Sequence, residues 1–203
     1  VASAASPSSR RLVLATLNRA KARELTALLG PIPYVVVPLV DVPGAALPEE
    51  TADTYAGNAL LKAQAALAVP GDRALADDSG LEVDALEGAP GVRSARFGGP
   101  DLDDAGRIAL LLERLRGVPP ARRTARFRCV IALVDRTGPA RIVEGVVDGL
   151  IAEAPRGAGG FGYDPVFFHP PSRRTFGELT DAEKAAVSHR ALAARAARRL
   201  LCE

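Results

Sequence analysis

Short apolar runs alternate with amphipathic helices through the early part of the chain, and this alternation constrains its fold most. Arg11–Leu17 (RLVLATL) reads as a buried strand ending in a polar turn. From Lys21 the apolar spacing becomes helical, with Leu25, Leu28 and Leu29 on one face. Pro31–Val40 is a second apolar strand, and Thr54–Ala68 is the next helix, with Leu60, Leu61 and Leu67 on its apolar side. Further on, Thr124–Asp135 and Ala140–Ala154 form a long hairpin around Arg-Thr-Gly-Pro, so antiparallel strands join the sheet and make it mixed. The expected class is α/β.

The totals agree with one sizeable domain. The chain has 203 residues, 48% apolar and 25% charged, ordinary values for a globular protein. A net charge of +2 gives no support for a surface that coats nucleic acid. No apolar run approaches the roughly 18 residues that span a bilayer, so no membrane partner is expected. Residues 1–10 are small and polar, without the apolar region of a signal peptide, and read as a loose tail ahead of a domain over 11–203. Cys129 and Cys202 have neither metal-ligand spacing nor a disulfide framework. A cytoplasmic protein is expected.

The stretch Ala74–Gly80 (ALADDSG) carries the strongest chemical signal. Neighbouring side chains on a strand point to opposite faces, so Asp77 and Asp78 cannot share a cavity. One is free for chemistry and the other braces the turn. Carboxylates at a strand end, followed by Ser79 and Gly80, suit a hard cation such as magnesium. An Asx-type turn between strands is the alternative.

Of 26 basic residues only three are lysine: Lys21, Lys62 and Lys184. A compact ammonium sits among phosphate oxygens differently from a planar guanidinium. Thr16, Asn18 and Lys21 fall where the first strand gives way to a helix N-terminus, where free amides and the helix dipole favour an anion. Asn58 and Lys62 are one helical turn apart on the next helix. The glycines and the G-K-[ST] ending of a P-loop are missing. Asp101–Arg116, with Ile108, Leu111, Leu112 and Leu115 at core spacing, reads as a structural helix.

Four of the nine aromatic residues, Phe161, Tyr163, Phe167 and Phe168, cluster beside the glycines of GAGGFGYDP. Glycines around a ring let backbone and aromatic close on a flat ligand, and Asp164 is positioned to bond a base edge. Near the C-terminus Thr180 and Glu183 form a capping box ahead of Lys184. Lys184 and His189 would lie about 140° apart on a continuous helix, which predicts a break with Ser188 capping a second helix. That helix would present His189 and Arg190 and pack Leu192, Ala196 and Leu200 inward.

Taken together, TLNRAK, EET, NALLKA, ADDSGLEVDAL, GAPGVRSAR, GGFGYDP and ELTDAEKAAVSHR occur in one order over residues 12 to about 200. In these strings the chain resembles the inosine triphosphate pyrophosphatase family, which removes non-canonical purine nucleotides. The resemblance implies a two-lobed α/β fold with a long mixed sheet and a central substrate cleft, and a homodimer. It implies magnesium-dependent hydrolysis of ITP, dITP or XTP to the monophosphate and pyrophosphate. Thr16, Asn18, Lys21 and Lys62 then match phosphate contacts, and Glu49 and Asp78 metal ligands. Asp78 also matches the general base, and Ser79 a substrate contact. Phe161, Gly162, Tyr163 and Asp164 match the base-stacking loop, and Lys184, His189 and Arg190 the purine-reading end. Leu17 departs from the family pattern, standing where relatives often carry a smaller residue. Two other readings compete: a Maf-like pyrophosphatase of modified nucleotides, opposed by Ser-His-Arg at 188–190, and a nucleotide sensor without turnover.

Overall fold

The computed structural model describes residues 10–203; the expected tail over 1–10 lies, but for its last residue, outside them. Seven strands form one sheet in the order β2-β1-β3-β4-β5-β6-β7. The first half reads β1 (Arg11–Leu14), α1 (Arg19–Leu29), β2 (Val35–Pro38), α2 (Tyr55–Ala66), β3 (Arg73–Val83) and α3 (Asp104–Arg114). The second reads β4 (Thr124–Asp135), β5 (Arg141–Ile151), β6 (Phe167–His169), β7 (Arg174–Thr175), α4 (Asp181–Val187) and α5 (His189–Cys202). β1 pairs in parallel with β2 and β3, as their helical crossovers require. All later pairings are antiparallel. The mixed α/β sheet flanked by helices is thus as expected.

Side chains alternating along β1 and β3 serve two layers. Leu12, Leu14 and Leu75 pack with Leu25, Leu29, Ala194 and Leu201 on the α1/α5 face. Val13, Ala74 and Ala76 meet Ala59, Ala63 and Ala66 of α2 on the other. A third cluster joins Leu81 and Phe127 to Ile108, Leu111 and Leu115 of α3 and to Phe167 and Phe176. Each fully buried leucine or phenylalanine contributes about 1.5–3 kcal/mol. Among the described residues no helix is long and apolar enough to cross a membrane.

Three local expectations are corrected. β1 stops at Leu14 rather than Leu17, and α1 begins at Arg19 because Asn18 caps it, accepting from the amides of Ala20 and Lys21 at 2.9 and 3.1 Å. Asp77–Gly80 is neither a strand end nor a turn. It lies inside β3, paired with Arg128–Ile131 of β4, because two long antiparallel strands supply every rung there. The inward face of α5 is Ala193, Ala194, Ala197 and Leu201, while Leu192 is exposed. Leu200 is partly buried against the α1/α5 cluster and Ala196 is half-buried, so Leu192 is the misplaced one, and α5 crosses Gly145 of β5 with its backbone and the Leu192 Cβ. A Cβ at Gly145 would meet the carbonyl of His189 and, at 2.6 Å, the amide nitrogen of Ala193.

Candidate functional site

The site follows from unequal strand lengths. β1 pairs with β3 only as far as Leu75, and β3 continues to Val83. Past the end of β1, α1 departs over one face of the sheet and α2 covers the other. A crevice opens at such a point, outside the carboxyl ends of parallel strands, and ligands bind there in α/β sheets. The cleft found on the α1/α5 side has a volume of about 310 Å³.

Asp77 turns towards that cleft's floor. Its carboxylate lies 3.2 Å from the Lys21 ammonium and 3.4 Å from Nε of Arg190, whose Nη2 donates to Ser79 Oγ at 2.9 Å. Burial alone would raise the Asp77 pKa, but Lys21, Arg190 and Lys62 outweigh it and hold the carboxyl well below the usual range. Arg190 is also held by Glu24 of α1 at 2.7 Å, and Glu24 lies 3.7 Å from Lys184. Glu24 had no motif signal beyond standing three residues after Lys21. The expected free amides at the start of α1 are in part not free, since Asn18 occupies two of them. What faces an anion there is the Lys21 charge.

Asp78 points the other way, towards α2. Asn58 Nδ2 donates to it at 3.2 Å, and Lys62 Nζ sits 3.2 Å from its Oδ1 and 2.7 Å from Oε1 of Glu50. The Asn58 Oδ1 accepts the amide of Ala52 at 2.9 Å, which fixes the loop carrying Glu50. Burial raises the Asp78 pKa, and Lys62 offsets that only in part. Lys62 is pushed up despite burial, chiefly by Asp77, Asp78 and Glu50. The donor set suits magnesium. Hard carboxylate oxygens from two elements converge on one position, and a cation, the Lys62 ammonium, already stands between them. Glu49 is exposed, whereas Glu50 makes this contact.

The other end of the cleft is aromatic and cationic. Lys184 Nζ and Arg190 Cζ lie 4.9 and 5.4 Å from the centre of the Phe161 ring. Asp164 is buried, receives the Lys184 ammonium at 2.6 Å and accepts the amide of Phe161 at 2.9 Å. Its carboxylate fills the space beside Gly160, whose φ of 72° favours glycine. Gly162 donates to Asp104 at 2.7 Å. Tyr163 is buried, and its hydroxyl donates to the carbonyl of Ser94 at 2.9 Å. His189 stacks on Phe127 with ring centres 4.6 Å apart. Burial first, and then Arg190 and Lys184, press its pKa far down, so its imidazole is neutral. The break before it is as expected, with Ser188 Oγ accepting the amide of Ala191 at 3.2 Å.

Most of the expected site residues therefore line one cleft: Asn18, Lys21 and Ser79, the loop 161–164, and Lys184, His189 and Arg190. Thr16, Glu49, Lys62 and Asp78 do not line it. Thr16 is buried at the exit of β1 and accepts the amide of Asn18 at 3.2 Å. Lys62 and Asp78 lie across β3, joined to the cleft through charge, since Lys21 acts on both Asp77 and Asp78. α3 is more than structural. Asp104 and Arg107 stand in the cleft wall, and nothing in a leucine-spaced helix pointed to them.

Fold and site together define the class, an α/β protein with its ligand cleft at the carboxyl end of parallel strands. The Ham1 family model matches residues 12–200, and the chain belongs to that family. It is 50% identical to the dITP/XTP pyrophosphatase of Desulforamulus reducens over 94% of this chain and 95% of that protein. It is also 50% identical to the dITP/XTP pyrophosphatase of Geobacillus kaustophilus over 91% of this chain and 90% of the other. The structure of a HAM1 protein from Coxiella burnetii superposes with a TM-score of 0.86 at 41% identity, covering 95% of this chain and 98% of that one.

Proposed function

We propose that this chain is a magnesium-dependent pyrophosphatase that hydrolyses ITP, dITP and XTP to the monophosphate and pyrophosphate, clearing such nucleotides from the cytoplasmic pool. The observation that carries the reading is the pair Asp78–Lys62. A buried carboxylate with a raised proton affinity lies against a lysine on the α2 side of β3, across the strand from a cleft that ends in a ring under two cations. The names of the close relatives support the same substrates.

In this reading Phe161 stacks on the purine while Lys184, His189 and Arg190 meet its 6-carbonyl side. Thr16, Asn18 and Lys21 cradle the triphosphate, Ser79 touches substrate, and Lys62 helps hold the leaving pyrophosphate. Gly162, Tyr163 and Asp164 shape the loop around the ring. Asp78 orients a water and takes its proton as the water oxygen bonds to the α-phosphorus. The bond from that phosphorus to the bridging oxygen breaks, and pyrophosphate leaves with the electron pair. Asp78, with Glu50 or Glu49, would hold magnesium, which neutralises charge on the phosphates when bound. The unit is residues 11–203 as one domain of two lobes, working as a homodimer without nucleic-acid or membrane partners.

The test is product analysis with ITP, XTP, GTP and dTTP, with and without magnesium, assaying pyrophosphate and orthophosphate separately. Magnesium-dependent pyrophosphate from ITP and XTP is expected, with little from GTP. Orthophosphate in its place overturns the mechanism. Tight ITP binding without turnover would bring forward the sensor reading.

A further inference from the structure

Arg107, in the first turn of α3, is a cation the proposed reaction leaves without a role. It stands in the cleft wall with its side chain only 14% exposed. Its Nε is buried and has no hydrogen-bond partner among the described residues. Its ion-pair partner, Asp104, is 3.7 Å from Nη1, is 57% exposed, and has its other oxygen on the amide of Gly162. Acceptors nearby in the wall are already engaged. The carbonyl of Ser94 takes the Tyr163 hydroxyl, and Ser94 Oγ accepts from Leu81 at 2.9 Å while donating to Gly91 at 2.6 Å. A guanidinium cannot shed its charge, and a buried donor left unpaired is costly. A cleft that keeps one calls for an acceptor on the ligand.

We propose that Arg107 reads the 2-position of the purine and makes the cleft prefer xanthine, with a carbonyl oxygen there, over hypoxanthine or guanine. The inference rests on the purine triphosphate reading above and ranks its substrates. Gly162, next to the Phe161 ring, is tied to α3 through Asp104, so a base on that ring has the Arg107 wall on one side and Lys184 and Arg190 on another. C2 and C6 flank the same ring nitrogen, and each then meets its own donors. Xanthine presents an oxygen to Arg107, and at neutral pH its ring ionises with negative charge shared by that oxygen. Hypoxanthine presents only hydrogen and leaves Nε unpaired. Guanine presents an amino group, donor against donor, which supplies the rejection that the shared 6-carbonyl cannot.

The experiment compares kcat/KM for XTP, ITP and GTP in the wild type, Arg107→Met and Arg107→Lys. The wild type is expected to favour XTP. Arg107→Met should lose about 10- to 100-fold on XTP, the worth of a hydrogen bond to a charged group, with ITP changed by about 3-fold or less. Arg107→Lys should recover part of the loss. An XTP/ITP ratio unchanged in Arg107→Met overturns the inference and leaves the hydrolase reading intact. Calorimetric affinities for xanthosine and inosine monophosphate are measured on the same proteins. If the wild type releases no pyrophosphate, the hydrolase reading falls and those affinities decide the inference. A ratio that drops in Arg107→Met supports it, and an unchanged one overturns it. Arg107→Gln is read in the same way if Arg107→Met does not fold.

Discussion

Asp77 and Asp78 are neighbours in the chain, yet their carboxylates lie on opposite faces of β3, each 3.2 Å from a different lysine. Asp77 ties α1 and α5 together through Lys21 and Arg190. Asp78 faces Asn58 and Lys62 of α2. The two-residue period of a strand thus lets one dipeptide brace one face and arm the other.

The two should therefore fail differently. Asp78→Asn removes the proposed base and should lower kcat for pyrophosphate release by about 10²–10⁴-fold. Near wild-type turnover with magnesium would sink that role. Asp77→Asn strips Lys21 and Arg190 of a buried counter-charge and should cost about 3–5 kcal/mol in urea denaturation. A stability loss no larger than that of Asp78→Asn would contradict the bracing role.

Lys62→Met tests the cation position between Asp78 and Glu50. Without the ammonium, the carboxylates repel in a buried setting, and stability in magnesium-free buffer should fall by about 3 kcal/mol or more. Magnesium should then raise Tm more in the variant than in the wild type. Equal magnesium shifts would argue against these oxygens as its ligands.

Gly145 holds α5 at its working distance from the sheet. Gly145→Ala drives a Cβ into the backbone of His189 and Ala193. The expected cost is about 1–3 kcal/mol of stability, with KM for ITP rising because His189 and Arg190 start that helix. Calorimetry together with steady-state kinetics checks both. A variant with wild-type KM would separate the helix position from base reading.

Replacing Lys184 or His189 by glutamine should raise KM for ITP by about 10-fold, the worth of a lost hydrogen bond to a charged or buried group, and should alter the ITP/GTP ratio. Selectivity unchanged in both variants would remove them from the purine-reading end.

His189 also predicts a pH dependence of stability. In the unfolded chain it gains a proton as pH falls through about 6.5, whereas buried beside Arg190 and Lys184 it stays neutral. The unfolded state then binds more protons, so stability drops on acidification from about pH 7 to 5, by up to about 1.4 kcal/mol per unit. His169, also depressed by burial, pulls in the same direction and is present in both proteins. His189→Gln should flatten the slope of unfolding free energy between those pH values. Identical slopes would mean that His189 takes up its proton alike in the folded and unfolded chain.

Much of the architecture could be read from local pattern. Thr54 caps α2, Asp103 precedes α3, and the Thr180–Glu183 box opens α4, each acting within a few residues of itself. The long hairpin β4–β5 and the mixed sheet followed from apolar runs and a turn. The context of Asp77–Gly80 did not, because a D-D-S-G string is turn chemistry until a partner strand such as β4 supplies its rungs. The exposure of Leu192 was missed for a similar reason, since how closely the backbone of α5 approaches Gly145 of β5 depends on the packed sheet.

What the sequence determined by itself is the set of elements, their order, and the few residues whose charge or ring suits phosphate and purine. The tertiary structure decided which of them meet. Glu24 reaches Arg190 from far along the chain, Glu50 rather than Glu49 reaches Lys62, and Arg107 enters the cleft from a helix that reads as core. Propensity, capping and alternation act over a handful of residues and are written locally. The pairing of buried charges depends on which faces a sheet brings together, and that is settled only when the whole chain has packed.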